Sequence, residues 1–386
     1  MHILMVLTYY QPYKSGQTVY AVRQAKALAA LGHRVTVLTS QYDPKLPLDE
    51  SDDGVRIIRL PVLFHLSKGV IMPAMPFRLW KLMGDADIIH LHVPQFESGL
   101  VALIAKIRGK LLTITYHCDL DMPRGWFSRL AGWMTQLMHR ISAGLADAIV
   151  HNTRDYAEHS SFLSRYLDKL TVIQPPIINA PLLSESVCEF KEKFKIAAEQ
   201  QIIGMVARLA TEKGVEYLVD AMPHVLEVFP QARVIFVGMY MNVPGEERYR
   251  QKLMPMIEGL GEHWTFSGVI SEKEKTAFYE VCDVLVLPSI NRTESFGMVQ
   301  VEAMMCGASV IATDMPGVRQ PVRETGMGFI VPTRDVSALA DAIIKALSSK
   351  MSVEAERIAH LNQFYAPETV ARAYETLFVE ILEKHG

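Results

Sequence analysis

Cysteine is scarce in this chain. Its four copies, Cys118, Cys188, Cys282 and Cys306, stand far apart and form no CxxC pair. That spacing argues against a zinc site and fits reduced thiols used for packing in the cytosol. Long apolar runs are also missing, since none approaches the roughly 18 residues needed to span a bilayer. The opening "MHILMVLTYYQPYKSGQ" has no basic stretch before its apolar run and no small-residue cleavage site. It reads as a first β-strand and not as a signal peptide. No short repeat or low-complexity tract appears. Neither the dinucleotide pattern GxGxxG nor the P-loop GxxxxGK with Ser or Thr follows any strand-like run. Their absence weighs against a nicotinamide dehydrogenase and a P-loop kinase.

What is present describes a folded protein, with 49% hydrophobic and 21% charged residues. A length of 386 residues is too great for one compact core and suggests two domains. Charge is unevenly shared: residues 1–180 hold 19 Lys+Arg and 14 Asp+Glu, the remainder 20 and 28. A basic first half points to an anionic partner such as a phosphate or an acidic lipid surface, and no nucleic acid is expected. Ordinary compositional scatter gives similar numbers, so charge alone does not choose.

Short β-rich runs alternate with helical patterns. "HILMVLT", "HRVTVLTS", "VRIIRL", "ADIIHLHV", "KLLTITYH", "ADAIVHNT" and "KLTVI" are strand-like, and Gly32 is placed to end the helix "VYAVRQAKALAALG". The pattern breaks at Pro175, Pro176 and Pro181, a proline-rich linker. It resumes with "QIIGMVARL", "ARVIFVG", "HWTFSGV", "DVLVLPS", "ASVIAT" and "GFIVP". The expectation is an α/β protein of two doubly wound, Rossmann-like parallel-sheet domains, residues 1–178 and 179–365. A last helix, within 366–386, carries an apolar stripe of Val370, Tyr374, Leu377, Phe378 and Ile381 that needs a surface to cover.

In open α/β sheets ligands bind beyond the carboxyl ends of the strands. The loop "YYQPYKSGQT" offers Gly16 at a helix start, which suits a phosphate and equally suits a plain turn. "ARLATEKG" sets Arg208 and Lys213 after a strand, a natural pair for a diphosphate. A solvated surface pair is the bland alternative, and the position favours the site. "TESFGMVQVEAMMCG" places Glu294 and Glu302 eight residues apart around a helix expected to start near Ser295–Phe296. An acid in a first turn explains Glu294 by the helix dipole. It explains Glu302 poorly, about two turns further inside an apolar helix. Two acids flanking a phosphate site suit a ligand with hydroxyls on both sides of a diphosphate, as in a sugar nucleotide.

"RLATEKG" together with "PSINRTESFGMVQVEAMMCGASVIAT" resembles the signature of retaining GT-B glycosyltransferases of family 4, including the E-x7-E motif as Glu294 and Glu302. "GQTVYAVRQAKALAALGHRVTVLT", "TYHCDLD", "ADAIVHNT" and the final helix also have counterparts in that family. The resemblance implies the GT-B fold, with the two domains facing across a cleft and the last helix crossing back onto the first. It implies that Glu294 holds sugar hydroxyls, Glu302 binds the ribose, and Arg208 and Lys213 neutralise the diphosphate. Phe296, Gly297 and Met298 would present backbone N–H groups near the diphosphate, Gly16 would lie near it, and His117 beside the donor sugar. The family's usual paired glycines are Ser15-Gly16-Gln17 here, a departure that bears on phosphate and acceptor contacts. The donor implied is a UDP- or GDP-sugar, with a front-face reaction in which the leaving phosphate helps deprotonate the acceptor. Asp119 and Asp121 form a DxD pattern that arises easily by chance; no metal or other cofactor is expected, and either acid can contact an acceptor hydroxyl.

The stretch "RGWFSRLAGWMTQLMHRIS" sets Trp126, Phe127, Leu130, Trp133, Met134, Leu137, Met138 and Ile141 at helical spacing, with Arg124, Arg129, His139 and Arg140 at the ends or on the other face. Such a helix sits in a membrane interface or packs on its own sheet, and both readings stand. "LFHLSKGVIMPAMPFRLWKL" adds apolar residues with Lys68, Arg78 and Lys81. The expectation is a cytoplasmic hexosyltransferase at the inner face of the membrane, acting on a lipid or glycan acceptor. The alternatives are a sugar-nucleotide epimerase, a phosphorylase, or a catalytically idle sugar-nucleotide-binding protein.

Overall fold

The computed structural model describes residues 1–66, 69–121, 126–349 and 355–385; the side chains of 65–66 and 127–128 also lie outside the description. The chain divides into two compact units, Met1–Ile177 with Tyr365–Gly386, and Ile178–Phe364.

Unit 1 contains β1 (His2–Val6), β2 (Arg34–Gln41), β3 (Asp49–Asp52), β4 (Val55–Pro61), the small hairpin β5 (Phe64–Leu66) and β6 (Gly69–Ile71), β7 (Ile88–Val93), β8 (Leu111–Tyr116), β9 (Ala148–His151) and β10 (Leu170–Val172). Its main sheet runs β10-β9-β8-β7-β1-β2-β4-β3. All neighbours are parallel except β3, an antiparallel edge on β4 that the strand-like runs did not reveal. β1, β7 and β9 are buried at every position, as expected of strands covered on both faces. The helices are α1 (Gly16–Ala30), α2 (Met75–Met83), α3 (Ser98–Ile107), α4 (Trp126–Leu145), α5 (Arg154–His159) and, from the far end of the chain, a long helix at Pro367–His385.

Unit 2 contains β11 (Ile202–Val206), β12 (Arg233–Val237), β13 (Trp264–Gly268), β14 (Val284–Leu287), β15 (Ser309–Thr313) and β16 (Gly328–Val331), all parallel in the order β13-β12-β11-β14-β15-β16. Around them lie α6 (Ser184–Lys193), α7 (Val215–Val228), α8 (Glu247–Gly259), α9 (Glu272–Val281), α10 (Met298–Met304), α11 (Gln320–Thr325), α12 (Val336–Ser349) and α13 (Ala355–Phe364). The helix at Pro367–His385 is therefore α14.

Each sheet reverses its winding once. From β1 the chain steps outward through β2 to β4, then returns to the other side of β1 with β7. From β11 it steps through β12 to β13, then returns to the other side of β11 with β14. The loops leaving β1 and β7, and those leaving β11 and β14, therefore diverge and open a crevice at the carboxyl edge of each sheet.

α14 packs on α1 and buries Val370, Ala371, Tyr374, Leu377, Phe378 and Ile381. The Tyr374 hydroxyl is 2.8 Å from that of Tyr20 and 2.7 Å from Thr115 Oγ1, and His33 Nε2 is 3.0 Å from the Glu375 carboxylate. The helix thus carries a polar anchor inside an apolar stripe. Phe378→Ala should destabilise unit 1 by about 3–5 kcal/mol, and Tyr374→Phe by about 1–3 kcal/mol because two buried hydroxyls lose a partner. Urea titration of each variant measures both.

Candidate active site

Unit 2 gathers its expected residues at the β11–β14 crevice. Gly214, just after Lys213, is in the left-handed region at φ 64°, and a Cβ there would stand 2.2 Å from the Pro288 carbonyl oxygen. Only glycine lets the loop after β11 press so closely on the loop after β14. Ile290 N–H donates to the Glu212 carbonyl at 3.0 Å, closing the contact. Lys213 Nζ then lies 2.5 Å from Glu294 Oε2, both side chains largely buried. Glu294 is held by a turn in which Asn291 Oδ1 accepts from Thr293 N–H and Oγ1–H, while Glu294 N–H donates to the Asn291 carbonyl. Arg208 is half-exposed and pairs with Glu212 at 3.0 Å. Both cations thus sit against carboxylates.

The helix carrying Glu302 starts later than its sequence suggests. Gly297 has φ 76°, which no right-handed helix contains, and its missing Cβ would stand 2.4 Å from Leu287 Cδ2. α10 accordingly begins at Met298, and Glu302 lies about one turn inside it instead of two. Phe296 is buried ahead of this start. Glu302 is also buried, and Tyr279 O–H donates to its Oε2 at 2.9 Å, with Lys275 Nζ at 3.2 Å. Lys275 is a partner that sequence reasoning missed; it sits one turn before Tyr279 on α9, a helix not weighed for chemistry.

In unit 1, Gly16 opens α1 behind Ser15, whose hydroxyl accepts from Thr18 N–H at 3.2 Å. The residue standing where the family usually has a second glycine is therefore a helix cap. His117 lies just beyond β8, buried, its Nε2 3.0 Å from His92 Nδ1. Burial, with His151 and His90 nearby, lowers its pKa to about 3, so it is a neutral imidazole at pH 7. Asp119 is buried and bonded within unit 1. Tyr116 and Ser160 hydroxyls donate to its Oδ1 at 2.8 and 2.5 Å, and Ser161 N–H to Oδ2 at 3.3 Å, so it ties the β8 loop to residues 160–161. Asp121 is exposed.

α4 divides its apolar residues between two surfaces. Met138 packs on Gly99 of α3, while Trp126 (78% exposed), Leu130, Trp133 (63% exposed), Met134 and Leu137 face outward. Arg129 and Arg140 flank that outward face and are exposed. His139, expected at an end or on the polar side, is buried against Gln95. The Phe127 side chain, Arg124 and Lys68 lie outside the described residues. On the neighbouring helices Phe77, Trp80, Leu103 and Ile107 are exposed as well, and Arg108 stacks 4.8 Å from the Trp80 ring. Among the described residues no helix is long and apolar enough to cross a membrane.

The family follows from comparison with known proteins. Residues 187–361 match the glycosyl transferases group 1 family, and residues 15–176 a glycosyl transferase 4-like domain. The chain is a group 1 glycosyltransferase of family 4, with the GT-B fold. It is 27% identical to the phosphatidyl-myo-inositol mannosyltransferase of Mycobacterium leprae, over 98% of this chain and 97% of that one. Sucrose-phosphate synthase from Thermosynechococcus elongatus has a similar fold, with TM-score 0.77 at 22% identity over 99% of both chains. So does Anabaena HepE in complex with UDP, with TM-score 0.76 at 19% identity over 98% of this chain and 100% of that one.

This glycosyltransferase buries further histidines in unit 1. Burial lowers His90 to about 3 and His139 and His151 to about 4, and lowers His92 as well. Their folded-state values lie below the ordinary 6.5, so the unfolded chain binds more protons at mildly acidic pH. Stability should be intact above pH 6.5 and fall progressively as pH drops towards about 4. Thermal unfolding between pH 7.5 and pH 4.5 measures this; a midpoint that does not move across that range contradicts it.

Proposed function

We propose that this glycosyltransferase moves a hexose, with retention and without a metal, from a UDP- or GDP-sugar to a hydroxyl of a lipid or lipid-linked acceptor at a membrane surface. The observation that carries the donor half is the Lys213–Glu294 pair at the β11–β14 crevice. Loss of a nucleoside diphosphate leaves negative charge on phosphate and positive charge on the sugar. A lysine and a nearby arginine fixed beforehand stabilise that phosphate without reorganisation. Glu294, a group that accepts hydrogen bonds, suits the sugar hydroxyls, and its contact with Lys213 fixes its position. Its role is orientation, with the leaving phosphate taking the acceptor proton on the same face. Glu302, oriented by Tyr279 and Lys275, suits the ribose diol.

The acceptor half rests on the exposed aromatic and aliphatic residues of α2, α3 and α4. Rings and aliphatic chains interspersed with Arg78, Lys81, Lys106, Arg129 and Arg140 suit an anionic lipid interface. The mannosyltransferase from M. leprae carries phosphatidyl-myo-inositol in its name, and HepE was solved with UDP; both agree with this reading. The location that follows is the cytoplasmic face of the membrane.

The donor class should emerge from thermal shifts with UDP, GDP and ADP, a bound nucleotide adding about 2.7 kcal/mol at a hundredfold excess over Kd. Lys213→Ala should then lower kcat by roughly a hundred- to a thousandfold. A Lys213→Ala enzyme at full rate, measured by nucleotide release, rules out the assigned role. Trp133→Glu should weaken sedimentation with vesicles containing anionic lipid, and salt should weaken binding of the unchanged protein. Failure of the unchanged protein to bind such vesicles at low ionic strength would sink the membrane assignment.

A further inference from the structure

The carboxyl edge of unit 1 holds an acid with no assigned work. Glu97, in the loop between β7 and α3, is only 8% exposed, and its oxygens have no well-formed hydrogen bond, the Thr8 hydroxyl and its own backbone being the only donors that bear on them among the described residues. Gln95 Oε1, two residues earlier, is likewise buried without a partner. Burying an unpaired carboxyl is strongly unfavourable, and native structures do so sparingly.

The ordinary explanations do not consume it. Glu97 is the N-cap residue of α3, but its backbone is helical and its side chain accepts no bond from the first turn. It enters no ion pair among the described residues. Its loop is firmly held from several directions. Gln95 Nε2 donates to the Val6 carbonyl at 3.4 Å, the Gln95 backbone N and O lie 3.2 Å from His139 Nε2, and His117 N–H donates to the Val93 carbonyl at 2.8 Å. Burial pushes Glu97 up to about 7, against a smaller pull from its own backbone and the nearby Thr8 hydroxyl. Tyr9, raised by burial and by Tyr13, feels the Glu97 charge too. Thr8 and Tyr9 follow β1, so Glu97 stands at the β1–β7 reversal, where an open sheet receives ligands.

We propose that Glu97 and Gln95 bind hydroxyls of the acceptor, which presents a polyol head to the β1–β7 crevice. The Gln95 amide oxygen only accepts, while Glu97 accepts as the carboxylate and can also donate as the acid, so hydroxyls, which do both, suit the pair. Adjacent hydroxyls meet both, whereas a phosphate would be repelled. The assignment rests on the reading that unit 1 takes the acceptor, and it adds residues outside the sequence motifs.

The test uses the full chain and thermal shifts with myo-inositol, mannose and glucose at millimolar concentration. At least one should stabilise the unchanged protein, with an apparent Kd raised roughly ten- to a hundredfold in Glu97→Gln. Glu97→Gln removes a buried charge, so its unliganded midpoint at pH 8 should be no lower, which shows that the fold is intact. Glu97→Ala should lose the same binding if the Gln variant is damaged. Equal polyol shifts in unchanged and variant proteins, or none in the unchanged protein, overturn the proposal. Failure of the glycosyltransfer reading is a separate observation: no nucleotide-sugar turnover by the unchanged protein.

Discussion

The working edge of unit 2 depends on how near one backbone can come to another. Gly214 meets Pro288 at a distance that any side chain would forbid. That contact sets the loop after β11 against the loop after β14, and Lys213 against Glu294. Gly297 plays a related part further on, turning the chain sharply enough to start α10 against Leu287 and bury Glu302. The charged groups are thus placed by two positions that carry no chemistry themselves. A lysine and a glutamate held 2.5 Å apart also fix each other's position at that edge.

Unit 1 is organised on different terms. Neutral imidazoles lie in and just beyond its strands: His117, after β8, touches His92, and deeper in β7 His90 lies within hydrogen-bonding distance of Thr113 and Thr115. Groups that stay uncharged at pH 7 offer hydrogen bonds without attracting phosphate strongly, whereas unit 2 offers cations. The two units thus differ in the polarity of their functional groups.

Much of this was legible in the sequence, for identifiable reasons. The parallel strands announce themselves because they are buried on both faces and read as unbroken apolar runs. The edge strand β3, "DESD", does not, because an exposed edge has no apolar face to display. Arg208, Lys213, Glu294 and Glu302 stood out because charge is unusual in such loops and in an apolar helix. The start of α10 does not show in the sequence because nothing there marks Gly297 as a left-handed turn. Asp119 drew notice as half of a DxD pattern, although its partners, Tyr116, Ser160 and Ser161, are invisible until the chain is folded. Glu97 escaped because "PQFESGL" looks like an ordinary helix entry; only burial without a partner distinguishes it. The outward face of α4 could not be decided from periodicity, since a stripe that packs inward and one that faces out have the same spacing.

The helix α14 has a consequence for the order in which the protein is assembled. Unit 1 is discontinuous: its sheet is made by residue 172, but Tyr374 and Phe378, which cover α1 and reach Thr115, come about two hundred residues later. Until then Tyr20 and the α1 surface stay uncovered while the whole of unit 2 is synthesised. Contacts so distant along the chain form slowly, and a sheet awaiting its last helix is exposed to wrong partners meanwhile. The ring of hydroxyls that Tyr374 completes, Tyr20 on one side and Thr115 on the other, works as a lock that only the final segment can turn. The unit that begins first is therefore the one that finishes last.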